Sequence, residues 1–89
     1  MATLHFTSHL RAVAPPEPIE ADGPTLAAVL ETAFDAYPRL RGYILDDQGR
    51  VRRHVAVFVD GQMLDRADAL AAPMTTTSDV HILQALSGG

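Results

Sequence analysis

Hydrophobic residues along this chain change period several times, and the changes mark its elements. From Ala2 to Ser8, Leu4 and Phe6 alternate with Thr3, His5 and Thr7, the period of a half-buried strand that turns Leu4 and Phe6 to a core. Ala14-Pro15-Pro16-Glu17-Pro18 reads as a turn, and Ile19-Glu20-Ala21 as a short second strand whose neighbouring prolines suit a sheet edge. The period then becomes helical. Leu26, Val29, Leu30, Ala33, Phe34 and Tyr37 fall on one face of an amphipathic helix, with Pro24 in its first turn or Thr25 as N-cap, and Pro38 as its end. Full burial of Leu26, Val29, Leu30 and Phe34 contributes about 1.5–3 kcal/mol each, so this face dominates the expected core.

Leu40 to Leu45 fits an irregular connection or a short helical turn, and Asp46-Asp47-Gln48-Gly49 a turn in which Gly49 takes positive φ. The period of two returns from Val51 to Val59, where Val55, Val57 and Val59 alternate with Ala56 and Phe58. Asp60-Gly61 is a hairpin signal, and Gln62-Met63-Leu64 begins the return strand. Asp65 to Asp79 is a polar, alanine-rich connection, and Val80 to Leu86 is a closing strand. Two strands, one helix and three further strands describe an α+β sheet with a helix on one face. The strands flanking the helix are expected to be joined by a right-handed crossover.

Composition narrows the function more than the fold. With 89 residues, 47% of them hydrophobic, the chain is expected to form one small soluble domain. No apolar run approaches the roughly 20 residues of a membrane span, and Met1 to His5 lacks the basic and apolar regions of a signal peptide, so the cytoplasm is the expected compartment. A net charge of −4, with seven basic residues that are all Arg, argues against nucleic acid as partner. Having no cysteine, the chain offers no thiolate nucleophile, so any sulfur chemistry must come from outside. Without lysine it offers no side-chain amine for an isopeptide bond, which excludes lysine-linked chains of itself.

Catalytic motifs are missing as well. The sequence contains no phosphate-binding loop with its Lys, no G-x-G-x-x-G and no H-E-x-x-H. Its four histidines, His5, His9, His54 and His81, are scattered, so no metal site is expected. Asp46 with Asp47, and Asp65 with Asp68, are most simply solvated turn residues, and Ser8, Ser78 and Ser87 lie in no nucleophile elbow. No intrinsic catalytic residue is assigned, and the chain is not expected to be an enzyme by itself.

What remains is Leu86-Ser87-Gly88-Gly89. From the dipeptide alone, a terminal Gly-Gly is most simply a frayed end or a cloning scar. Its position raises the functional reading, because it follows a buried-looking strand without a polar linker. Glycine brings no Cβ to obstruct a narrow channel, and three or four extended residues carry a carboxylate about 10–14 Å from the folded body.

Taken together, Gly88-Gly89, the V-H-I-L-Q-A-L-S strand at Val80 to Ser87, the V-F-V-D-G-Q hairpin at Val57 to Gln62 and the T-L-A-A-V-L-E…A-Y-P helix resemble the MoaD/ThiS family of ubiquitin-like β-grasp sulfur carriers. The order of elements matches along nearly the whole chain. The Asp46-Asp47-Gln48-Gly49 insertion resembles the longer MoaD-like members, and Asp60 stands where many relatives have Asn. The resemblance implies a mixed sheet of four to five strands with one main helix packed on one face, residues 1–86 forming the β-grasp domain and 87–89 a flexible tail.

It also implies a mechanism in which a ubiquitin-activating-type adenylyltransferase uses ATP and Mg²⁺ to adenylate the Gly89 carboxylate. A sulfur donor then displaces AMP and leaves a thiocarboxylate. Ser87, Gly88 and Gly89 would enter the activating site, and the chain itself would bind no cofactor. Family pairing and strand parity place Met63 and Leu83 on the exposed sheet face as a partner surface, with Phe58 and Leu86 as further candidates. Met63 and Leu83 equally fit residues that cover the sheet's edge or close the core. Three function classes follow: a sulfur carrier for a cofactor or metabolite, a molybdopterin-synthase small-subunit-like protein being the leading variant with a synthase large subunit as partner; a protein modifier joined through Gly89 to target lysines; and a plain interaction domain.

Overall fold

The computed structural model describes residues 1–6 and 17–84, with Gln84 described by its backbone. Strands β1 (Ala2–Phe6) and β2 (Ile19–Ala21) come first, then helices α1 (Leu26–Ala36) and α2 (Pro38–Ile44), then β3 (Val55–Val59), β4 (Gln62–Met63) and β5 (Asp79–Gln84). The sheet has five strands in the order β2-β1-β5-β3-β4. β1 runs parallel to β5, and the other neighbouring pairs are antiparallel. The last strand is therefore central, flanked by β1 and β3, and β2 takes the edge that its prolines predict. The strands flanking the helices, β2 and β3, have the same sense but are separated by β1 and β5.

Helix α1 begins where its N-cap begins. Thr25 is extended, and its hydroxyl accepts the Ala28 N–H at 3.3 Å, which satisfies one of the donors left free in a first turn. Leu26, Val29, Leu30, Ala33 and Phe34 are buried, as the helical period predicts. Tyr37 is not: it is 38% exposed and closes α1 by donating its N–H to Ala33 O at 2.8 Å. The cause is Pro38, which disfavours helical geometry in the residue before it. Pro38 both ends α1 and opens α2, because a first helical position needs no N–H donor. α2 buries Leu40 and Ile44, so the ambiguous stretch resolves to a second, shorter helix beside the main one.

The strand expected from Val51 starts only at Val55. Val51 instead pairs alone with Leu45 across the Asp46–Arg50 turn, where Gly49 has φ 78°, and the Val55 N–H closes a turn onto Arg52 O at 3.0 Å. At the next hairpin both Asp60 (φ 51°) and Gly61 (φ 86°) are left-handed, the pairing a type I′ turn requires. Asp60 also ties this turn to β5: its carboxylate accepts the Asp79 N–H at 2.9 Å and its own N–H donates to Asp79 O at 2.8 Å. The connection back to β5 contains a 3₁₀ turn at Ala69–Ala71 and pins the start of α1, with Leu26 N–H on Ala72 O and Met74 N–H on Pro24 O, both at 3.0 Å.

Strand parity divides the sheet. Ala2, Leu4, Ala21, Val55, Val57, Val80 and Ile82 are buried on the side of the helices, with Phe6, Ile19 and Val59 packed against them. Thr3, His5, Glu20, Ala56, Phe58, Met63, His81 and Leu83 lie on the opposite face, and none of them is buried. The readings at Ser8, Ala14 to Pro16, Ala85 and Leu86, and the tail at Ser87, Gly88 and Gly89, lie outside the described residues.

Candidate functional site

Two features frame a site around the end of β5. The first is the direction of the strand. β5 is antiparallel to β3, so its last described residue, Gln84, lies opposite Val55 at the start of β3. Leu86, Ser87, Gly88 and Gly89 lie beyond the described residues. A groove of about 510 Å³ adjoins this point, bounded on one side by Arg53, His54 and Val55 and on the other by Met63, Leu64, Asp65 and Arg66.

The groove's walls follow from local structure. Leu64 donates its N–H to Val57 O at 2.8 Å, which carries the chain past β4 alongside β3. Asp65 then accepts the Ala67 N–H at 3.0 Å and turns the chain, as a solvated turn residue would. Arg66 donates from Nε to Val51 O, and Arg52 from Nε to Gly42 O at 2.8 Å, so both stems are anchored by backbone carbonyls. Four of the seven arginines, Arg50, Arg52, Arg53 and Arg66, thus lie on the segments at this end of an otherwise acidic chain. Nearby, the Asp46 carboxyl is held below the usual carboxylate range, chiefly by the Arg50 N–H, then by the Gln48 N–H and the Arg50 and Arg66 charges. On the helical side, the hydrogen bond from Arg41 to Glu31 raises the Arg41 guanidinium further above its ordinary value.

The second feature is the uncovered sheet face. Phe58 lies opposite both Met63 and His81, and Ala56 opposite Leu83, which gathers Phe58, Met63 and Leu83 of the predicted partner residues into one patch; Leu86 lies outside the described residues. Met63 is 65% exposed, whereas Phe58 and Leu83 are half-buried by their neighbours. Ile82 is fully buried and Leu83 points the other way, as the alternation predicts. Among the described residues, no helix covers this patch, so Met63 and Leu83 do not close the core.

The structure also gathers a group that sequence reading missed. His5 and His81 are partners in the parallel β1–β5 register, and their rings stack with centroids 4.3 Å apart. Asp79 lies within 2.6 Å of His5 Nε2 and 3.8 Å of His81 Nδ1. Seventy-six positions separate the two histidines, and no local pattern signals their meeting. The only available signal is that both lie on the outward parity of terminal strands that a β-grasp sheet pairs.

No protein-family model matches the chain, and no curated protein matches it by sequence. Solved structures do. A chain of the BexX/CysO complex of Amycolatopsis orientalis superposes with a TM-score of 0.87 at 19% identity, covering 100% of both chains. CysO of Mycobacterium tuberculosis, described as an antigen, gives 0.85 at 24% identity over 97% of this chain and 100% of its own. The small archaeal modifier protein 1 of Methanosarcina acetivorans gives 0.82 at 20% identity over 99% of this chain and 95% of its own. Five mixed strands in this order, with helices on one face and structural neighbours matched over nearly their whole length, give this chain the ubiquitin-like β-grasp fold.

Proposed function

We propose that this chain is a sulfur carrier whose Gly89 carboxylate is activated by a partner enzyme and converted to a thiocarboxylate. The observation that carries the reading is the placement of β5: the strand that precedes Gly88 and Gly89 in sequence is central, and among the described residues no helix covers its outward face. The likeness to CysO, and to a chain of a complex that pairs CysO with BexX, supports a protein that works by association. In this reading its part in the reaction is to dock and to present the carboxylate.

In this reading a carboxylate oxygen of Gly89 attacks the α-phosphorus of ATP, pyrophosphate leaves, and an acyl-adenylate forms. A carboxylate is a poor electrophile, and the mixed anhydride corrects this by making AMP a good leaving group. Sulfide, or a donor's sulfur, then attacks the acyl carbon and AMP departs, leaving C(=O)S⁻ on Gly89. Mg²⁺ and cationic groups of the partner, a ubiquitin-activating-type adenylyltransferase, stabilise the charge that develops. Ser87 and Gly88 thread the partner's channel, while Met63, Leu83, Phe58 and Leu86 form the docking surface. The acceptor is a small molecule in cofactor or metabolite biosynthesis, a molybdopterin-synthase large subunit being the leading partner. The cytoplasm, with its ATP, is the compartment that fits. No described helix is long and apolar enough to cross a membrane.

The likeness to a small archaeal modifier protein favours a second reading, attachment of Gly89 to lysines of other proteins. Intact-protein mass spectrometry distinguishes the two after incubation with a cognate activating enzyme, ATP, Mg²⁺ and a sulfide source. One oxygen-to-sulfur exchange mapped to Gly89, and absent in Gly89→Phe, is the expected result. Attachment to lysines without sulfur exchange would favour the modifier. No adduct, with an activator that works on its own substrate, would overturn both.

A further inference from the structure

We infer that His5, Asp79 and His81 form a binding site for a borderline divalent metal ion, Zn²⁺ in the first instance, on the uncovered face of the sheet. Two imidazoles and one carboxylate are a donor set that zinc accepts, and three protein ligands leave a position for water. Side-chain nitrogen and oxygen atoms from all three residues lie within 4.8 Å of one another.

The backbone holds these residues together independently of any ion. His5 and His81 are register partners, and Asp79 lies two residues before His81, on the same face of β5. Asp79 is further fixed by its two backbone hydrogen bonds to Asp60, whose carboxylate adds negative charge nearby. A tetrahedral ion with bonds of about 2.0–2.1 Å separates its ligand atoms by about 3.3 Å. His5 Nε2 and Asp79 Oδ1, at 2.6 Å, must therefore open slightly, while His81 Nδ1 and Asp79 Oδ2, at 3.8 Å, must close slightly.

One larger adjustment is required. The two rings are within 7° of parallel, so a single ion cannot lie in both ring planes, and one ring must turn about its Cβ–Cγ bond. That torsion is broad in histidine, and both rings are partly open to solvent, so the turn meets little resistance. In the ion-free arrangement the Asp79 carboxylate can only accept, so His5 Nε2 carries the hydrogen of their contact. Zinc takes that position on Nε2, and the hydrogen moves to Nδ1, so the ring binds as its other neutral tautomer.

The test is isothermal titration of the full chain with zinc chloride in a buffer that does not bind zinc, accompanied by histidine NMR. The expected isotherm is one ion per chain. His5→Ala, His81→Ala and Asp79→Asn should each weaken binding at least about tenfold, the lower end for losing even an outer partner of a metal ligand. His54→Ala should bind as the wild type does. In the wild type, ring resonances of His5 and His81 should move together on titration while those of His54 stay, a readout that does not depend on any variant folding. Absence of a saturable 1:1 event, binding retained when His5 and His81 are both replaced, or shifts confined to other histidines would overturn the site.

Discussion

The two faces of the sheet are made by the same strands and differ by a single step along them. In β5, Val80 and Ile82 are buried, while Asp79, His81 and Leu83 point the opposite way and are not. In β3, Val55 and Val57 are buried beneath the helices, while Ala56 and Phe58 lie on the uncovered side. One face holds aliphatic residues packed against Leu26, Val29, Leu30 and Phe34. The other mixes Phe58, Met63 and Leu83 with two histidines and two acids, Glu20 and Asp79. A small domain has little interior, so nearly all its cohesion must come from the covered face. The second face is thereby released from that task and can carry recognition.

The sharpest way to break this comparison is to truncate neighbours in sequence that belong to opposite faces. Ile82→Ala removes a fully buried side chain from the central strand and should cost about 2–5 kcal/mol, a large share of a small domain's stability. Leu83→Ala, one position on, loses cross-strand contact with Ala56 and should cost about 1 kcal/mol or less. Urea denaturation of both variants measures the difference, and Ile82→Val keeps the comparison readable if Ile82→Ala does not fold. Equal losses at the two positions would mean that both faces support the fold alike.

This division was legible in the sequence because period two survives any uncertainty about which strands pair. Alternation points Leu4 and Val57 to the core; in β5 it gives Ile82 inward and Leu83 outward only once Val80 is known to face in, and it leaves Leu83 free to cover the sheet's edge or close the core. The edge position of β2 followed from its prolines, and the hairpin from Asp60-Gly61. Tyr37 was misplaced because helical spacing ignores how Pro38 alters the residue before it, and the start of β3 was placed early because Val51 shares the apolar character of a strand while pairing only with Leu45. The His5–Asp79–His81 group was hidden for a different reason: it exists only through the parallel register of the first and last strands, which no short-range pattern encodes. The tail stands out by its position directly after a strand-like run, and Gly88 and Gly89 lie outside the described residues.

A second way to sharpen the comparison is to charge the uncovered face. Met63→Asp places a carboxylate opposite Phe58 without touching the core. Its urea midpoint should correspond to a change within about 0.5 kcal/mol, as for other surface substitutions. If this face docks the activating enzyme, binding should weaken about tenfold or more, equivalent to roughly 1.4 kcal/mol. Pyrophosphate exchange, followed as a function of chain concentration, would report this as a raised KM. An unchanged KM would assign the apolar patch, and with it the Met63 wall of the groove, to covering the sheet.

The smallest effect belongs to the seam where the covered face meets solvent. Leu45 and Val51 are buried on either side of the Asp46–Arg50 turn, and the Asp46 carboxylate holds that turn by accepting the Gln48 and Arg50 N–H groups at 2.9 and 3.0 Å. Asp46→Asn retains an oxygen acceptor but removes the charge that strengthens these bonds. Because the folded protein holds the Asp46 carboxyl below its ordinary range, the unfolded chain binds its proton more readily, and stability from this group rises with pH. The contribution is fully present above the ordinary carboxylate pKa of about 3.9 and is lost as pH falls through the lower folded value. Wild type should therefore exceed Asp46→Asn in urea midpoint at pH 6, and the two should converge in strong acid. A gap that does not narrow with acid would mean that the turn depends on the geometry of the Asp46 side chain and not on its charge.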